Sequence, residues 1–175
     1  MFRSLFAPLA MLLLTLGLSA CQAPEDDEDS DTKAPKEMAV LTAPANGDDA
    51  AWKNYLGLVA GQHQEGVTDR TIGYFLPGKS SEPSPDDQDG KTQYDRQLEN
   101  VQGAIERTVT PGNMLAFGSP DSAKMADLMV AAFTGAKPDA VKGSIVLFIG
   151  KAEDSARVQP LVEAAGGKYI FVEAK

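Results

Sequence analysis

The residues able to do chemistry in this chain are few and scattered. One His, His63, and one Cys, Cys21, occur among 175 residues. A two-His metal site is therefore ruled out. A Ser-His-Asp triad would have to use His63, and no G-x-S-x-G turn supplies its nucleophile. His63 falls near the end of a helix-periodic stretch, where a cationic side chain suits the helix dipole; it reads as a helix residue with no catalytic role.

Two motif matches need physical weighing. Gly73, Tyr74, Phe75, Leu76, Pro77, Gly78, Lys79 and Ser80 fit G-x-x-x-x-G-K-S letter by letter. That pattern binds phosphate because a Gly-rich loop feeds its Lys and Ser into the first turn of a helix. Here the first Gly lies in a strand-like run, aromatics fill the variable positions, and Ser81, Glu82, Pro83, Ser84 and Pro85 follow. The match is rejected. Asp86, Asp87, Gln88, Asp89 and Gly90 suggest a calcium loop, but aligning Gly90 with the turn glycine puts Pro85 at position 1 and Arg96 at position 12. The first ligand and the bidentate acid are then missing, so this reads as a solvated acidic loop with Asp89 capping the next helix. No cofactor and no metal site are expected.

The elements that must position such groups alternate. A first helix, capped by Asp48 or Asp49, puts Trp52, Tyr55, Leu56 and Val59 on one face. A strand from Thr71 to Leu76 leads into a polar loop from Pro77 to about Lys91. A second helix groups Tyr94, Leu98, Val101 and Ile105 and stops before Pro111 and Gly112. Met114–Phe117 is a second strand. Ser119 as N-cap and Pro120 at the first helical position open a third helix, with a stripe of Met125, Leu128, Met129, Ala132 and Phe133 before a Gly135 cap. Ser144–Ile149 is a third strand, apolar at five consecutive positions and so buried on both faces. A fourth helix carrying Val158, Leu161, Val162 and Ala165 precedes a last strand, Tyr169–Val172.

Strands alternating with helices predict an α/β fold, a compact three-layer sandwich of four mainly parallel strands and four helices. Leu115, Ala116, Phe117, Gly118 before Asp121, Ser122 and Leu147, Phe148, Ile149, Gly150 before Asp154, Ser155 are two similar strand-Gly-helix units. In an open parallel sheet the loops after the strands share one rim, with ligands at the point of strand-order reversal. This gathers Ser119, Asp121, Lys151 and Asp154 as a possible rim. Asp121 and Asp154 at helix starts are expected to cap. The Pro77–Lys91 loop, long for so small a domain, is the expected interaction surface, with Lys79, Ser80, Ser81, Asp86, Asp87 and Asp89 as its polar contacts.

The N-terminus specifies an address. Arg3 precedes an almost wholly apolar run from Leu5 to Leu18, too short to span a bilayer and shaped like a signal peptide. Leu18, Ser19, Ala20 and Cys21 then resemble the lipobox of bacterial lipoproteins. The resemblance covers the leader alone. It implies cleavage before Cys21, acylation of Cys21 and attachment to a membrane. Gln22 follows, whereas Asp at that place resembles an inner-membrane retention signal, so the resemblance implies the periplasmic face of the outer membrane. Residues 21–47, with Glu25, Asp26, Asp27, Glu28, Asp29 and Asp31, contain too little apolar surface to offset ordering entropy and read as an acidic tether. The domain is expected over 48–175.

Removing Met1–Ala20, which carries Arg3 and no acid, moves the formal net charge from −9 to −10. Such a surface repels nucleic acid. The reading from sequence is a non-catalytic binding or adaptor module in the cell envelope, engaging an envelope protein or polymer. The alternatives are a periplasmic small-ligand or cation receptor and, behind it, a carboxylate-based enzyme.

Overall fold

The structure, a computed structural model, describes residues 39–45, 48–82 and 89–175. The leader, Cys21, the acidic run and loop residues Asp86 and Asp87 lie outside the described residues. Eight elements follow in chain order: α1 (Asp49–Gln62), β1 (Thr71–Phe75), α2 (Gln93–Glu106), β2 (Met114–Gly118), α3 (Ser122–Phe133), β3 (Ile145–Gly150), α4 (Ala152–Ala164) and β4 (Lys168–Glu173).

The helix starts are chemically explicit. Asp48 caps α1 by accepting from the Ala51 N–H at 2.9 Å. Thr92 caps α2 in a capping box: its Oγ1 accepts from Asp95 N–H at 3.1 Å, and Asp95 Oδ2 accepts from Thr92 N–H at 2.9 Å. This corrects the expectation of Asp89 as that cap, because Thr92 with an acid three residues on satisfies two donors where Asp89 is too far upstream. A second correction concerns α3. Its cap is Asp121, accepting from Lys124 N–H at 3.0 Å, while Ser119 bonds one step earlier, accepting from Asp121 N–H.

All four strands run parallel in the order β1-β2-β3-β4. Their first residues are aligned, Thr71 with Met114, Met114 with Ile145 and Ile145 with Lys168. The strand ends therefore share one rim. Residues alternate between two apolar cores. Leu115, Phe117, Val146 and Phe148 face α2, α3 and α4, whereas Met114, Ala116, Ile145, Leu147 and Ile149 face α1. Residues 39–45 complete the α1 layer: Leu41 and Ala43 pack on that core, and Ala43 N–H donates to Lys175 C=O at 2.6 Å. The result is an α/β sandwich of three layers, with β2 and β3 wholly buried.

One expectation about the rim fails. Three successive crossovers each move one strand in the same direction and lay α2, α3 and α4 on one face, so this sheet has no strand-order reversal. The crevice that such a reversal opens between diverging loops is absent.

Candidate functional site

At the rim, the ends of β1, β2 and β3 bring Lys79, Ser119, Asp121 and Lys151 around one open cavity of about 920 Å³, joined by Trp52, Ser122 and Lys175. Asp154, expected with them, is buried instead. It accepts from the Ser122 hydroxyl at 2.6 Å, and Ser122 Oγ accepts from Lys151 N–H at 2.8 Å. Ser122 therefore ties the start of α3 to the start of α4. Asp121 is committed to its cap. Lys175 is held protonated by Glu173 at 2.8 Å, which raises its pKa. The Trp52 indole N–H, buried beside the cavity, has no partner among the described residues.

The loop after β1 is placed differently from expectation. Ser80 is 2% exposed, its N–H donates to Pro77 C=O, and its own C=O accepts from Tyr94 N–H at 3.0 Å. A residue read as a free loop contact is thus part of the framework, because its turn folds back onto the start of α2. Ser81 is exposed beside Thr92, Tyr94 and Lys124. Asp89 accepts from Lys91 N–H and from Arg96 at 2.7 Å; the backbone bond first, then the guanidinium, holds its carboxyl below the ordinary range. Gly73 sits within β1, and Lys79 and Ser80 lie in turns, so the phosphate-loop pattern has no helix to serve. His63 closes α1, with Nδ1 2.9 Å from Val59 C=O. Among the described residues no cluster of His, Cys, Asp and Glu could hold a metal ion.

A second site was not anticipated. β1 is an edge strand, and its open edge lies at the bottom of a groove of about 850 Å³ between α1 and α2. Leu56, Gly57, Ala60, Gly61 and Gln64 form one wall, on one face of α1; Gln93, Arg96, Gln97 and Asn100 form the other, at helical spacing on α2. Lys53 stands at the Phe75 end, with its ammonium 5.3 Å from that ring's centre. Gln64 bonds the Thr71 hydroxyl at the other end. Tyr74 lines the groove and stacks on Phe117, with ring centres 4.9 Å apart; burial raises its phenol pKa and Arg107 partly offsets this.

The ladder decides which backbone groups of β1 are open. In a parallel strand alternate residues direct both N–H and C=O to the same neighbour. Met114 N–H donates to Arg70 C=O at 2.9 Å and Leu76 N–H to Gly118 C=O at 3.2 Å. Arg70, Ile72, Tyr74 and Leu76 therefore serve β2, and Thr71, Gly73 and Phe75 direct theirs into the groove. The signal for this site in the sequence was the uncharged Thr-Ile-Gly-Tyr-Phe strand with two glycines inside the preceding helix. Its edge position was not readable.

No protein-family model, curated protein or solved structure matches this chain.

Proposed function

We propose that the protein is a lipid-anchored, non-catalytic binding module of the cell envelope, held at the periplasmic face of the outer membrane through acylated Cys21, with the β1 groove as its working face. The observation that carries this reading is the open edge of β1, recessed between two helices. An uncovered, uncharged edge strand invites unwanted pairing, and proteins blunt it with charges or cover. The other edge, β4, has Lys168 and Glu173 at its ends, whereas β1 is uncharged and no described strand pairs with its open edge. The lipobox resemblance supports the address. The acidic balance argues against nucleic acid as the partner.

The test is a photo-crosslinking residue placed at Gln97 in living cells, with Glu163 on α4 as the control position. An adduct from Gln97 and none from Glu163 supports the groove; an adduct only from a probe at Lys79 moves the working face to the rim. Mass spectrometry of the mature protein checks the anchor, since Cys21→Ser should leave an uncut precursor and an unmodified Cys21 refutes acylation.

One observation favours a second reading. The rim cavity is lined by a single acid, Asp121, and by Lys79, Lys151 and Lys175, the last paired with Glu173, and the Trp52 N–H beside it has no partner among the described residues. This arrangement suits a small anion better than a cation, and it gives a carboxylate enzyme no second carboxylate. Under this reading the protein is a small-ligand receptor.

A further inference from the structure

We propose that the β1 groove takes an extended segment of another protein as a fifth strand of the sheet, and that this segment carries carboxylates at the end lying beside Phe75. The inference rests on the binding-module reading and names the partner's chemistry.

Three observations converge on a strand. First, Thr71, Gly73 and Phe75 direct their N–H and C=O groups into the groove, and no backbone bond reaches them from the described residues outside the sheet. An added strand satisfies all three pairs. Second, residues of α1 and of α2 line the groove on either side of that edge. A helix with its side chains is about 10–12 Å across, so a single extended chain reaches the strand spacing of about 4.8 Å more readily than a second copy, which brings two helices of its own. Third, the α1 wall leaves room for side chains. A Cβ built on Gly57 or Gly61 meets no atom within 4 Å, and Gly73 on the strand beneath adds no side chain of its own.

The walls also state what the occupant carries. Its alternate side chains face α1 and α2 in turn. Toward α1 they meet Leu56, Gly57 and Ala60, an apolar surface with open space that a large apolar residue fills. Toward α2 they meet the amides of Gln97 and Asn100. Among the described residues no carboxylate lines the groove. Arg96 is bonded to Asp89, and the groove's other cation, Lys53, lies in the first half of α1, which starts at the rim, with its ammonium over the Phe75 ring. Lys53 thus puts positive charge at the Phe75 end of the groove. An amphipathic strand, apolar toward α1 and acidic at one end, matches both walls and the charge.

The experiment uses the mature lipidated protein in detergent micelles and three synthetic peptides. One alternates valine and threonine and ends in two glutamates, the second ends in two lysines, and the third is the glutamate peptide with alternate backbone nitrogens methylated. Amide exchange is read residue by residue. With the glutamate peptide at ten times its Kd, exchange at Thr71, Gly73 and Phe75 should slow about tenfold, while Ile72 and Tyr74, already bonded to β2, stay unchanged. The lysine and methylated peptides should give no such protection. Equal protection by the lysine peptide overturns the charge assignment. Binding of the methylated peptide without alternating protection overturns strand addition but leaves the groove as a binding face, and so does failure of all three peptides alongside a Gln97 crosslink in cells. Protection that rises with protein concentration alone makes a second copy the occupant and overturns the proposal.

Discussion

Gly57→Ala separates the folding of α1 from its use. Gly57 lies inside a 14-residue helix, is exposed, and a Cβ placed on it finds no atom within 4 Å. Nothing in the packing therefore requires a glycine there. In a helix interior glycine is less favourable than alanine by about 0.8–1.0 kcal/mol, and the substitution should stabilise the fold by that amount. For a folded region of about 130 residues, an unfolding entropy of about 2.1 cal/mol/K per residue converts this into a rise in Tm of about 3 °C. Gly57→Leu should retain most of the gain, since leucine is nearly as good a helix former, while its side chain fills the α1 wall of the groove. Thermal unfolding followed by circular dichroism measures the first effect, and titration with the glutamate peptide measures the second. A Tm that stays level or falls in Gly57→Ala would refute the claim that this position is free of packing demands. Undiminished binding by Gly57→Leu would show that no ligand touches this wall.

Other perturbations test the core, the caps and the rim. Leu147→Ala deletes a fully buried side chain from a strand bonded on both sides, which cannot close over the space, so urea denaturation should show a loss of about 3–5 kcal/mol within the range for such changes; an unchanged midpoint contradicts the central place of β3. Ser122→Ala leaves the buried Asp154 carboxylate without its 2.6 Å donor and should cost about 1–3 kcal/mol by the same measurement. Asp95 has its pKa lowered by the Thr92 hydroxyl bond, then by the Thr92 backbone bond. A carboxylate whose folded pKa is depressed stabilises fully above its unfolded value and loses that contribution as pH falls through the folded value. Stability should therefore decline as pH drops below the ordinary aspartate value of 3.8, and Asp95→Asn should flatten that part of the profile relative to the unmodified protein.

The sequence by itself determined the elements and the cores. The run Ile145–Gly150 is buried at every position, as its unbroken apolar character required, and the spacing of Trp52, Tyr55, Leu56 and Val59 put all four against the sheet. Periodicity reports burial, and burial is local enough to be written in a few neighbouring residues. Helix caps were legible to within a few positions; Ser119 and Asp121 both have the chemistry, and only the path of the chain decides which one meets a free N–H. The rim was legible in part, because parallel strands with aligned starts must end together. The tertiary structure alone decided that Asp154 faces inward to Ser122, that Ser80 is buried, and that β1 is an edge. Thr71–Phe75 reads equally well as an inner strand, since an apolar strand next to a helix has the same composition whether one neighbour flanks it or two. Edge status depends on the direction of each later crossover, and that direction is set by how α2, α3 and α4 pack together on one face of the sheet, through contacts between residues far apart in the chain.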